Sequence, residues 1–166
     1  MLEETAYRVD AQGQIVASTV TESHTQDPPQ VPALLSQVDH HIHRVVGDGM
    51  YDQEPVYAAV MGHSPEALVI VPPRKGAVLS SMASTAPTQR DQQLLAIQSE
   101  GRFAWKRRSG YYDQAYSENA FSRFKRTFGG GLRAKRDASQ EREASLACQL
   151  LNRMLELGRP QSYAII

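Results

Sequence analysis

The chain has 166 residues, 41% of them hydrophobic, with 18 Lys/Arg balanced by 18 Asp/Glu and one cysteine. That length suits one domain with a packed core rather than two, and the lone Cys148 excludes an internal disulfide framework and suits a reducing compartment. No apolar run approaches the roughly 20 residues that span a bilayer, and the acidic MLEETAYRVD start does not read as a signal peptide, so a cytoplasmic protein without a membrane partner is expected.

AYRVD and QIVASTV, placed around the Gly-containing AQGQ, predict a β-hairpin. The polar TESHTQDPPQ predicts a loop. In VPALLSQVDHHI, Leu34, Leu35, Val38 and Ile42 share helical spacing, so a helix is expected over 31–42. HRVVGDGMYD predicts a short buried strand that stops at Gly47, Asp48 and Gly49. DQEPVYAAVMGH predicts a helix with Asp52 as its cap and Pro55 in its first turn. ALVIVPP reads as an apolar strand stopped by two prolines. The order β-β-α-β-α-β implies an α/β class, with a sheet covered by helices.

Residues 73–90, PRKGAVLSSMASTAPTQR, form a long polar insertion of the kind that is usually functional or disordered. From Thr88 onward three helices are expected: TQRDQQLLAIQSE, AYSENAFSRFKRTF and SQEREASLACQLLNRMLEL, with the glycines at 129–131 breaking the second from the third. Leu146, Leu150, Leu151, Met154 and Leu155 form an apolar stripe that reads as core, and Cys148 and Trp105 read as core as well. His40, His41 and His43, beside Asp39, have no second ligand cluster and read as solvated surface.

The zero net charge conceals a segregation. Residues 1–101 hold five Lys/Arg and twelve Asp/Glu, a net of −7; residues 102–136 hold ten and two, a net of +8; the remainder holds three and four, a net of −1. A concentrated basic segment attracts phosphate-rich polymers. Two acids stand out against this background. Asp48, between two glycines at a strand end, would project from the carboxyl edge of a sheet, where open α/β sheets place ligands. Glu118 lies inside the basic segment. Tyr111, Glu118 and Lys125 are spaced by seven, which on a continuous helix puts them on one face with Gln114 between the first two. Arg107, Arg108, Arg123, Arg126 and Arg133 flank that face. A carboxylate there is either neutralised by a neighbouring cation or holds a divalent ion against phosphate.

These residues resemble the DDE-type transposases of bacterial insertion sequences. The signature around that family's third acid is Tyr, two residues, Arg, three residues, Glu, six residues, Lys; the chain has Tyr111, Gln114, Glu118 and Lys125 at that spacing. VVGDGMYD matches the pattern around the second acid, and PALLSQVD, VIVPPRK, APTQRD, RSGY and LLNRM are similar elsewhere, so the likeness covers roughly 6–160. It implies a ribonuclease-H-like catalytic core with a helical C-terminal part, in one partial catalytic domain over 1–166: strand and helix core at 6–72, insertion loop at 73–90, basic segment with the Glu helix at 102–136, and C-terminal helix at 139–157.

The resemblance further implies that Asp48 and Glu118 are catalytic ligands of Mg²⁺ (or Mn²⁺). Tyr111, Gln114, Lys125, Arg107, Arg108, Arg123 and Arg126 would contact double-stranded DNA at element ends and target. The family's Arg is Gln114 here. The family's first catalytic Asp lies on a strand before the hairpin that opens this chain, so an N-terminally truncated member is expected. That member would lack the first strand and the N-terminal DNA-binding region, and would have little or no activity alone. Asp10 matches a position on the following strand and is at most a substitute ligand. The alternatives are a chain whose first Asp comes from an upstream transposase fragment, a non-enzymatic DNA-binding remnant, and a decayed product that does not fold stably; the other partner to expect is a second copy, in a homo-oligomer.

Overall fold

In the computed structural model, which describes residues 3–22 and 27–158, the elements run β1 (Glu3–Val9), β2 (Ile15–Glu22), α1 (Val31–Leu35), β3 (Arg44–Val46), α2 (Glu54–His63), β4 (Leu68–Ile70), α3 (Gln89–Glu100), α4 (Arg102–Ser109), α5 (Ala115–Phe128) and α6 (Asp137–Glu156). The predicted β-β-α-β-α-β order is present. Part of the loop expected over 21–30 lies outside the described residues. The chain divides into two units, one of residues 1–25 with 116–166 and one of residues 26–115.

In the first unit, β1 and β2 pair antiparallel. Asp10 builds their turn, its Oδ1 accepting from the backbone N–H of Gln12 at 2.9 Å and Gln14 at 2.8 Å. Gly13 supplies the positive φ of 82° that the turn requires. Ile15 packs with Ala120 and Phe124 of α5 and with Ala147, Cys148 and Leu151 of α6. Cys148 is therefore core, as expected, and burial raises its thiol pKa. The apolar stripe of α6 is only partly core, however. Leu151 is buried at 2%, whereas Leu146, Leu150 and Met154 are 58%, 47% and 53% exposed.

The second unit is centred on β3 and β4, which pair parallel from Arg44 opposite Leu68 to Val46 opposite Ile70. Val56, Tyr57 and Val60 of α2 pack with Val31 and Leu35 of α1 and with Ala67, Val69 and Val71 in and beside β4. β3 is exposed to half-buried rather than buried. The helix expected over 31–42 stops at Leu35. Beyond it the backbone finds other partners: Val38 O meets His63 Nε2 at 2.7 Å, and Ile42 N–H donates to Ser64 Oγ at 2.9 Å. Val38 is still buried and Ile42 still packs on the core, so the apolar positions are met without helical backbone. Helix α4 buries Trp105 at 2%, as core was expected for that ring.

The described strands form two two-stranded sheets rather than one. Side-chain amides occupy free strand edges in both. Asn152 exchanges two hydrogen bonds of 2.8 Å with the N–H and C=O of Ile15. Gln89 accepts from Val69 N–H at 3.0 Å and donates to Ala67 O at 2.9 Å, and Gln93 donates to Val69 O. An edge satisfied in this way has less backbone left for a further strand.

The insertion between β4 and α3 has neither helix nor strand, yet it is tethered. Asp91, 1% exposed, accepts from Ser80 N–H at 2.8 Å, Ser80 Oγ at 2.7 Å and Thr88 Oγ1 at 2.8 Å. With Thr88 it also closes a capping box on α3. Arg90 donates to Val78 O at 3.1 Å and Arg102 to Pro73 O at 2.7 Å.

Candidate active site

Asp48 stands two residues beyond β3. Gly47 N–H extends the ladder by donating to Ile70 O at 3.1 Å, which fixes the point where the chain leaves the sheet. Asp48 then caps a 3-10 turn over Gly49–Tyr51, its Oδ1 accepting from Met50 N–H at 2.7 Å. The flanking glycines have distinct reasons. A Cβ on Gly47 would meet the Tyr51 ring at 3.1 Å, and one on Gly49 would lie 3.4 Å from Pro72 O. Burial, with Asp27 and Asp48 as further contributors, holds the Tyr51 phenol protonated well above its ordinary range. The carboxylate thus sits on a tight turn outside the carboxyl end of a parallel strand pair, as the sequence led us to expect.

Asp52 does something other than cap α2, whose N-cap is Gln53. Its side chain is 1% exposed and grips Arg90 as a fork, Oδ1 to Nε at 2.7 Å and Oδ2 to Nη2 at 3.1 Å. Oδ2 also accepts from Arg74 N–H at 3.0 Å. The hydrogen bond that Arg90 donates to Asp52 is the main reason that the Arg90 guanidinium holds its proton more tightly than usual. Arg90, 38 residues away in sequence, takes Asp52 from the helix terminus. Arg74 also reaches the Asp48 turn, with Nε to Gly49 O and Nη2 to Met50 O, each at 3.3 Å. In the sequence, the one sign of this role for Arg74 is its place just after the apolar strand and two prolines of VIVPPRK.

Glu118 is exposed in the first turn of α5, where the helix dipole favours a carboxylate. Lys125, two turns on, is exposed and sits over the Phe121 ring at 4.1 Å. Tyr111 and Gln114 are not on this helix, contrary to the single face expected. Gly110 ends α4 in the left-handed conformation, Tyr111–Gln114 form a 3-10 turn, and Arg44 pairs with Asp113 of that turn. Seven-residue spacing therefore relates only Glu118 and Lys125. Tyr111 lies against Trp105 at 6.0 Å, with Lys106 Nζ 4.6 Å from its ring centre.

The basic candidates differ in availability. Arg107, Lys125 and Arg126 are exposed. Arg108 is paired with Glu100 through Nε at 3.1 Å, and the pair lowers the Glu100 pKa. Arg123 donates to Gly13 O at 2.8 Å. Asp48, Arg107, Arg108, Tyr111 and Gln114 belong to one unit, and Glu118, Arg123, Lys125 and Arg126 to the other. Asp10, as the hairpin's turn acid, has Oδ1 committed to backbone amides.

Carboxylate oxygens are the right donors for a hard cation such as Mg²⁺, and Asp48 commits only Oδ1 to its turn. Asp48 and Glu118, each by itself, therefore have donor oxygens of the right kind, although among the described residues no group of three or more His, Cys, Asp or Glu gathers to hold a metal ion. His40, His41 and His43 accordingly form no such group with Asp39. Among the described residues no helix is long and apolar enough to cross a membrane. No solved structure matches the chain significantly. A family model described as the transposase DDE domain matches residues 7–153, nearly the whole chain, and the protein belongs to that family.

Proposed function

We propose that this chain supplies part of the active site for DNA transposition on a ribonuclease-H-like core. The reaction would be metal-dependent hydrolysis of a phosphodiester at an element end, followed by transfer of the freed 3′ hydroxyl to target DNA. The observation that carries this reading is the position of Asp48, on a glycine-flanked turn at the carboxyl edge of β3–β4. Asp48 and Glu118 are the residues that would hold Mg²⁺ or Mn²⁺. When bound, such ions supply activation of the attacking oxygen and stabilisation of the leaving one. Arg107, Arg108, Arg123, Arg126 and Lys125 would neutralise backbone phosphates, and Tyr111 and Gln114 would contact DNA near the transferred end.

Two of the three carboxylates that the resemblance implies are identified in this chain. Turnover by the chain alone is therefore expected to be low. A second reading, DNA binding without turnover, is favoured by the exposure of Arg107, Lys125 and Arg126, which can bind phosphate whether or not a metal is held.

Incubating the chain with a labelled duplex and Mg²⁺ or Mn²⁺ tests both readings. Expected is DNA binding whose metal-dependent component disappears in Asp48→Asn and in Glu118→Gln. Metal-independent binding that neither substitution changes would leave the second reading standing. Measurable Mn²⁺-dependent strand transfer that Glu118→Gln abolishes would overturn the expectation of low turnover.

A further inference from the structure

The Met50 peptide is held at both ends. Its N–H donates to Asp48 Oδ1 at 2.7 Å, while its carbonyl accepts from Arg74 Nη2 at 3.3 Å and from Gln53 Nε2 at 2.8 Å. Arg74 Nε reaches the preceding carbonyl, Gly49 O, also at 3.3 Å. The guanidinium therefore spans the Gly49–Met50 peptide, whose N–H donates to the Asp48 carboxylate, and the Met50–Tyr51 peptide that follows it. Bonds of this length are individually weak, but a charged, planar donor aimed at two consecutive carbonyls restrains their direction.

Arg74 is in turn fixed at its backbone, whose N–H donates to Asp52 Oδ2 at 3.0 Å. Asp52 is almost fully buried and locked by the two bonds from Arg90 on α3. Pro72 and Pro73, both buried, stiffen the approach from β4. A relay thus runs from the buried Asp52, held by the half-buried Arg90, through the loop after β4, to the turn after β3. The loop after β4 needs no charged side chain for packing, since Arg74 is exposed.

We propose that Arg74 is a positioning residue for Asp48, keeping the Gly49–Met50 peptides in the orientation that aims the carboxylate outward, with the Asp52–Arg90 pair as its anchor. The inference rests on the reading of Asp48 as a metal ligand for its consequence, but its structural content is separately measurable.

The experiment uses the full chain, ¹⁵N-labelled, as wild type, Arg74→Gln, Arg74→Lys and Asp48→Asn. Two quantities are followed: hydrogen exchange of the Met50 amide, and Mn²⁺ affinity from the electron paramagnetic resonance of free Mn²⁺. In Arg74→Gln, Met50 exchange is expected to accelerate roughly fivefold, the effect of about one ordinary hydrogen bond, with the melting temperature unchanged and Mn²⁺ binding weakened. Arg74→Lys, which keeps the charge and loses the fork, should recover part of both effects. Unchanged Met50 exchange in Arg74→Gln overturns the proposal. So does a general acceleration across residues 27–115 with a lowered melting temperature, which would make Arg74 a packing residue only. If Asp48→Asn leaves Mn²⁺ affinity unaltered while the Met50 effect of Arg74→Gln is present, Arg74's hold on the turn stands and the metal-ligand reading of Asp48 fails.

Discussion

Asp91 accepts hydrogen bonds from both the backbone and the hydroxyl of Ser80 and of Thr88. The Ser80 backbone N–H is the largest of the influences that hold its carboxyl well below the usual carboxylate range. A depressed folded-state value stabilises the fold above the unfolded value of about 3.9, and that contribution is lost as pH falls from there through the folded value. Asp91→Asn is therefore expected to lower the melting temperature at pH 7 and to lower it less at pH 3, as read by calorimetry. Equal losses at both pH values would show that Ser80 and Thr88 do not respond to the charge. Locally this acid was legible: Thr88 followed by an acid three residues later is a helix-start pattern. Asp52 was not. An acid just ahead of a Pro-containing first turn resembles a cap, and only the fold reveals the Arg90 that draws it inward. Asp48 is the intermediate case. Its turn followed from Gly-Asp-Gly, whereas the Tyr51 ring that crowds Gly47 and the Pro72 carbonyl beside Gly49 are tertiary facts.

Periodicity located the long helices well and helix ends less well. α6 spans Asp137–Glu156 around the segment expected to be helical, yet its apolar stripe faces two environments. Leu151→Ala should cost about 3 kcal/mol through the cavity it leaves, while Leu150→Ala, at a position 47% exposed, should cost under about 1 kcal/mol. Urea unfolding of the two variants checks this, and similar losses would mean that the exposed stripe is covered in solution. A stripe wider than the seam it packs against is visible in sequence; which edge remains outside is not. α1 and α5 show the reverse limit. Spacing alone extended α1 to residue 42, and the seven-residue spacing carried Tyr111 onto α5, although the expected segment AYSENAFSRFKRTF is the observed helix Ala115–Phe128. The first is cut short because His63 and Ser64 engage the backbone at Val38 and Ile42. In the second, the 3-10 turn over Tyr111–Gln114 holds Tyr111 off the helix, and Ser109–Gly110 before it was a readable stop for α4. The sheet edges were the least legible feature, since a carboxamide that completes a strand looks like any surface Gln or Asn.

At the scale of the whole chain, the basic segment 102–136 is divided between the two units at residues 115 and 116. If both parts bind one duplex, log affinity should fall linearly with log salt, and Arg107→Ala and Arg126→Ala should each reduce the slope by about one. Arg108→Ala should reduce it less, because Glu100 already holds that guanidinium. Fluorescence anisotropy across a salt series checks these slopes, and a flat response would remove DNA binding from the reading. The same division has a consequence in time. Ile15 is secured by Asn152, 137 residues later. On a ribosome adding roughly 5–20 residues per second, residues 27–115 emerge and can fold while the opening hairpin still waits, for something like ten seconds, for the helix that completes it. The hairpin is therefore secured only once the helix that completes it has been made, and its strands must stay out of trouble through that interval.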